Sequence, residues 1–349
     1  MKRFFLAALA IAAIASCTKN EVTPSINPDQ EITFQTVISP TTKAGLGTGQ
    51  VTFSTDNKFY AYAFFLPQGE TWATNYASSE KYIYNSLVGY SDNVWKASQT
   101  YYWPKQGSLT FFAWTDNTNA PSVAGSTAAI ICAADKGMQF LDYDVTSNPN
   151  KDMMVAEMAN DKIQNETTYL KTGVPTLFSH VLSQIQFKIK TKEDYSASAT
   201  FALKSLTMKD VYAEGDYTQG SPTAVVAADI WNGYANTTDL SVYTNAGFSV
   251  TSTSDANALT LAANDYFIML PQKFTDNTPK LEIVYTITTN YTGTEVVETV
   301  TEEVDLQTVY GAWEPGKTHV LTITLAMDEI LWDPATVDWV ADNTPTTSF

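Results

Sequence analysis

From Glu31 onward the sequence advances in short apolar segments of period two, each stopped by a cluster of Gly, Asn, Asp, Ser or Pro. "EITFQTVI" (31–38) sets Ile32, Phe34 and Ile38 on one face. "KFYAYAFFL" (58–66), "KYIYNSLV" (81–88), "TYYW" (100–103), "SLTFFAW" (108–114) and "AAIICAA" (128–134) follow. A second series begins near Leu177 with "LFSHVLSQIQFKIK". It closes with "THVLTITLAM", where Leu321, Ile323, Leu325 and Met327 share a side. Side chains alternate across a strand but not along a helix, so this period excludes helical folds. Many short strands with turn signals between them predict an all-β chain of antiparallel β-sandwiches. The chain is long for one such unit. The polar stretch "NDKIQNETTYLKTGVP" (160–175) places the expected boundary between an N-terminal domain, 31–170, and a C-terminal domain, 171–349.

Charge narrows the function classes. A formal net charge of −17 opposes nucleic acid and anionic membrane surfaces. Arg3 is the single arginine, and it lies in a segment expected to be removed. The mature chain then has no guanidinium fork for phosphate or carboxylate. Beyond the N-terminus, no apolar run is long enough to span a bilayer as a helix.

The N-terminus reads as an export signal. Lys2 and Arg3 precede an apolar run, Phe4–Ile14, and then the small residues of "IASC" ending at Cys17. Small residues before a cysteine resemble a bacterial lipobox, in which the cysteine becomes the acylated first residue. Residues 1–16 are thus the expected signal peptide, and 17–30 a polar, proline-punctuated tether behind a lipid anchor. With Cys17 acylated, Cys132 stands alone in an apolar run and reads as a small core residue.

Chemistry-bearing motifs are sparse. His180 and His319 are the only histidines, each inside a strand pattern, which supplies neither a catalytic triad nor a His-rich zinc site. "DYDVTSNPNKD" puts Asp142, Asp144, Thr146, Asn148, Asn150 and Asp152 on alternate positions, as in an oxygen-rich calcium loop. It has Ser147 where such a loop needs glycine and Met153 where it needs glutamate, so a solvated turn is the expectation. Neither catalytic residues nor a metal or other cofactor are expected. Eight tryptophans and nineteen tyrosines could form a sugar-stacking platform, although aromatics at alternating positions are more often sheet core.

Several features in order resemble one known family. They are the lipobox at Cys17, "EITFQTVI", the Lys43-Ala44 junction, "TYYWPKQGSLTFFAW", "KDMMVAE", "LFSHVLSQIQFKI", "YFIMLPQ" and the ending "WEPGKTHVLTITLAMDEILWDPATVDW". Together they are similar to the fimbrillin, or Mfa-like, proteins of type V pili in the Bacteroides group. The resemblance implies two transthyretin-like β-sandwich domains and export to the cell surface as a lipoprotein. It also implies other fimbrial subunits as partners and roles as stalk, tip adhesin or anchor. In pilus subunits of that family, a protease removes the first strand and a neighbour's strand fills the vacated groove. The family's cut typically follows an arginine. Here Lys43 stands in that place, followed by Ala44. Either a lysine-tolerant protease acts or the chain keeps its lipid.

On this reading the removable first strand is the one carrying Ile32, Phe34 and Ile38. Burying those side chains contributes on the order of 5–9 kcal/mol as an upper value. The candidate donor arm is "DEILWDPATVDWV", with Ile330 and Trp332, then Val337 and Trp339, on either side of Pro334. The alternative is that this segment completes its own sandwich. At the level of function, the alternatives are a monomeric, surface-anchored glycan-binding lipoprotein with a host or glycan ligand and, more weakly, a β-sandwich hydrolase with two facing carboxylates.

Overall fold

The computed structural model describes residues 30–38, 53–124, 129–164, 173–220, 231–251, 253, 266–275, 277–291 and 293–339. The strands among them are β1 (Thr33–Ile38), β2 (Phe59–Leu66), β3 (Glu80–Ser91), β4 (Val94–Ala97), β5 (Ser108–Thr115), β6 (Ala129–Ala133), β7 (Gly137–Asp144), β8 (Met154–Ala156), β9 (Ala159–Lys162) and β10 (Val174–His180). They continue as β11 (Ser183–Thr191), β12 (Ala199–Thr218), β13 (Trp231–Val250), β14 (Phe267–Met269), β15 (Gln272–Lys273), β16 (Lys280–Tyr291), β17 (Thr294–Asp305), β18 (Ala312–Trp313), β19 (Lys317–Leu325) and β20 (Ile330–Asp338). Two single-turn helices, α1 (Trp72–Asn75) and α2 (Leu306–Val309), complete the described elements together with a 3-10 turn at Tyr76–Ser78. The chain is all-β.

The first sheet closes on itself. Its path β2–β3–β4–β1–β10–β8–β5 returns to β2, with β9 beyond β5. The apolar runs of β2 and β5 explain the closure, because both faces of these strands are covered. Phe59, Ala61, Ala63, Leu109, Phe111 and Ala113 point inward, into a core shared with Phe34, Phe178 and Trp95. Tyr62, Phe64, Leu66, Phe112 and Trp114 point outward, into a second core. Near-continuous hydrophobic strands are what two covered faces require.

The second core fills the space between two further sheets, β14–β11–β19–β20 and β17–β16–β12–β7–β6, the latter also pairing β13 with β12. The hairpin β6–β7 thus lies in the second assembly although it precedes residue 170, and β10 lies in the first although it follows. Among the described residues two pairings are parallel, β1–β10 and β11–β19, within an otherwise antiparallel scheme.

Local departures from the alternating pattern have physical causes. β19 ends at Leu325, so Met327 escapes the face of Leu321, Ile323 and Leu325 and is 46% exposed while they are buried. "TYYW" forms no strand of its own. It contributes one bridge, Tyr102 to Glu31, beside the entry to β1. Cys132 is buried on β6, where burial pushes its thiol pKa up and leaves it a packing residue.

Candidate functional site

The site of interest is the slot that holds β1. On one side β1 runs parallel to β10 in the register Phe34↔Val174 through Ile38↔Phe178. On the other it meets β4 at two positions, Thr33↔Lys96 and Phe34↔Trp95. Just before the strand, the Ile32 N–H donates to the Tyr101 carbonyl (2.8 Å) and the Trp103 N–H to the Gln30 carbonyl (3.0 Å). Ile32, Phe34 and Ile38 are 2%, 4% and 4% exposed, whereas Thr33, Gln35, Thr36 and Val37 are half-buried. The Phe34 ring meets Phe59 edge-on at 5.5 Å and Phe111 at 6.0 Å, the geometry aromatic quadrupoles prefer. β1 therefore serves the core as a three-pronged filler.

Gly173, at the entry to β10, lets the two backbones meet. Its φ is +90°, and a Cβ there would sit 2.7 Å from the backbone N and C of Phe34. Only glycine fits both the dihedral and the approach. After β1, the next described residue, Phe53, is itself core. It stacks on Phe178 at 5.2 Å and lies 5.3 Å from Trp95. Cys17, Lys43 and Ala44 fall outside the described residues.

The candidate donor arm forms β20, outermost in its sheet among the described residues. It pairs with β19 from Lys317↔Asp338 to Leu325↔Ile330. Its side chains bury little: Ile330 and Trp332 are half-buried, while Leu331 and Val337 are 43% and 46% exposed. A Lys317–Asp338 ion pair lies along it.

The end of β20 is fastened more firmly. Trp339 is buried and stacks on His180 with ring centroids 4.2 Å apart and planes 7° from parallel. The His180 Nδ1–H donates to Asp152 at 2.6 Å. His180 is the last residue of β10, so the strand that flanks β1 also carries the anchor of β20. Beside this stack lies a cavity of about 230 Å³ lined by Asp116, Asn117, Lys151, Asp152, Tyr266 and Trp339 among others. Its charged groups engage one another, Lys151 with Asp116 at 3.3 Å.

His319 is built into the sheet. Its Nε2 accepts from the Glu314 N–H (2.9 Å), which leaves the Nδ1–H for Thr336 Oγ1 on β20 (3.2 Å). Burial holds its imidazole in the neutral form, with the pKa down to about 4.

The calcium-like run folds into a self-satisfied turn. Burial opposes the charge of Asp144, but bonds from Ser147 and Thr146 outweigh it and hold the carboxyl below the usual range. Asn148 is spent on the Ala124 and Asp144 carbonyls. Among the described residues there is no group of three or more His, Cys, Asp or Glu placed to hold a metal ion.

Sequence reasoning found β1 and β20 but not Gly173 or the His180–Trp339 stack. A glycine before an apolar-alternating segment is the one signal that could have pointed to the first. Nothing in the residue pattern links positions 180 and 339.

Comparison with known proteins agrees with this architecture. The fimbrillin-like family matches residues 42–339. A fimbrial protein from Bacteroides vulgatus superposes with a TM-score of 0.66 at 18% identity, covering 89% of this chain and 100% of that one. A Bacteroides uniformis protein assigned to cell adhesion covers 88% and 98% at 15% identity, with a TM-score of 0.48. A C-terminally truncated tip fimbrial protein from Porphyromonas gingivalis covers 88% and 100% at 10% identity, with a TM-score of 0.38. No curated protein sequence matches the chain.

Proposed function

The chain belongs to the fimbrillin-like family, and from that membership we propose that it is a structural or adhesive fimbrial subunit of the cell surface, assembled by strand exchange. The observation that carries this is the placement of β1, which completes a closed sheet with three buried side chains yet pairs along its length with β10 alone and meets β4 at only two positions. Removing it empties a slot lined by Phe59, Phe111 and Phe178 and uncovers the backbone edge of β10. A strand from a neighbouring subunit satisfies both, its main chain supplying hydrogen bonds and its alternate side chains the register. Such a joint is head-to-tail and does not close, so repetition gives a filament.

In this proposal residues 1–16 are a signal peptide, Cys17 is acylated, and 17–30 tether the precursor to the outer membrane. Cleavage between Lys43 and Ala44 frees β1 from the body. Two transthyretin-like domains, 31–170 and 171–349, form that body, with β10 and the β6–β7 hairpin crossing between them. β20 is the donor, since its exposed side chains bind its own sheet weakly.

The N-terminal residue of protein recovered from cells tests the processing step. Ala44 on assembled material is the expected result. Acylated Cys17 on all of it, assembled or not, overturns cleavage. The competing reading, a glycan-binding monomer using exposed tryptophans and tyrosines, has Tyr82, Tyr84, Tyr90 and Tyr102 at the surface but finds little tryptophan surface to use. Trp72, Trp95, Trp103, Trp114, Trp231, Trp313 and Trp339 are buried, and Trp332 is half-buried. The chemistry proposed for the chain is acylation, one proteolytic cut and non-covalent exchange, without a catalytic residue.

A further inference from the structure

The first and last described strands share a pattern. β1 is entered through Glu31-Ile32-Thr33-Phe34, and β20 through Glu329-Ile330-Leu331-Trp332. Each reads acid, isoleucine, spacer, aromatic, in the same chain direction. In β1 the isoleucine and the aromatic are core, at 2% and 4% exposure, and the spacer faces out. In β20 the corresponding pair is half-buried and the spacer exposed.

We infer that β20 of a second copy of this chain enters the slot in β1's own direction, alongside β10, with Ile330 replacing Ile32 and Trp332 replacing Phe34. This rests on the strand-exchange function proposed above and specifies its partner and register. Direction follows from the order of the two side chains. A reversed strand meets the Ile32 position with an aromatic and the Phe34 position with an aliphatic. Strand register is set by such a pattern, because a one-residue slip turns every side chain to the other face.

The nearest atoms at Gly173 are backbone atoms of residues 33 and 34, so the approach accepts other side chains in those places. Further along, Pro334 takes the half-buried position of Thr36, and Thr336 takes that of Ile38 with a smaller β-branched side chain. The competing frame sets Val337 and Trp339 in the places of Ile32 and Phe34. It loses the leading acid and brings Asn343 to the apolar position of Ile38. The shared pattern lies within one chain, which is why the partner is a second copy.

Thr33 stands opposite Lys96 on β4, and facing residues of paired strands are within disulfide reach. In the proposed register Leu331 takes the place of Thr33, and in the competing frame Asp338 does. The full chain carrying Cys17→Ser and Lys43→Arg has arginine only at positions 3 and 43, so an arginine-specific protease cuts the folded protein at the junction. Copies with Lys96→Cys are mixed with copies carrying Leu331→Cys or Asp338→Cys, cut, and oxidised.

The expected result is a disulfide-linked dimer from the Leu331→Cys mixture, absent before cutting and absent from the Asp338→Cys mixture. Cross-linking through Asp338→Cys overturns the register. So does assembly without either cross-link, while strand exchange stands in both cases. Protein that is cut, folded by circular dichroism and still monomeric overturns both this register and the strand-exchange function.

Discussion

Phe34→Ala probes how much of β1's hold on the slot comes from one ring. Phe34 is 4% exposed and packs between Phe59 and Phe111 at 5.5 and 6.0 Å, so truncation leaves an unfilled space among aromatics. A buried Phe→Ala change costs about 3–5 kcal/mol. The three buried side chains of this segment together contribute on the order of 5–9 kcal/mol. Losing one therefore removes roughly half of what keeps the segment seated. Since 1.4 kcal/mol is tenfold in an equilibrium constant, the open population should rise by about 10² to 10³·⁵. Native-state hydrogen exchange reads this directly, because β1 opens as a local unit before the whole chain does. Amides of β1 and of its partner β10 should lose protection by that factor, while those of β12 and β16, packed on the other core, keep theirs. Equal loss in both places would mean that β1 does not open separately. No loss in β1 would mean that its side chains do not hold it. Either result refutes the reasoning.

Gly173→Ala should loosen the same strand by a different route, because the added methyl meets the Phe34 backbone at 2.7 Å and strains a residue at φ +90°; faster exchange at Thr33–Gln35 is the readout. Trp339→Ala removes the ring stacked on His180, at a cost of about 3–5 kcal/mol confined to the end of β20. Limited proteolysis should then cut near Asp338 in the variant and not in the parent. His319 makes the C-terminal assembly acid-sensitive. Its folded pKa, about 4, lies below the ordinary value near 6.5, so between these pH values the unfolded chain binds a proton that the folded chain refuses. Stability from this group is complete above pH 6.5 and falls as pH drops toward 4, by about 3 kcal/mol in all. Thermal melts of the parent and of His319→Gln across that window should converge at low pH; a constant difference would contradict the assignment.

Much of the fold was legible because period-two patterns survive in single strands. Ile32, Phe34 and Ile38 face inward as their spacing requires, and so do Leu321, Ile323 and Leu325. What alternation cannot carry is the identity or direction of a partner. β1 and β10 are far apart in sequence, and their parallel pairing is set by the closed sheet rather than by either segment. The same limit hid the placement of β6–β7, whose apolar residues suit either core. β17 shows the opposite failure. "TEVVETVTEEVD" has β-forming valines, yet Val296 and Val297 are more than half exposed, because the strand lies at the sheet's edge with wet surroundings. The donor arm was legible as a strand. That Trp339 alone of its described residues is deeply buried required the packing.

The central claim is that β1 is a separable filler whose place a neighbour's strand takes. Cutting the folded Lys43→Arg chain with an arginine-specific protease, and following free N-terminal fragment by mass alongside polymer growth, tests this directly. The account predicts one fragment released for each joint formed, with the two curves superimposed. Polymers that grow while every fragment stays bound, or fragments released from protein that stays monomeric, would contradict it.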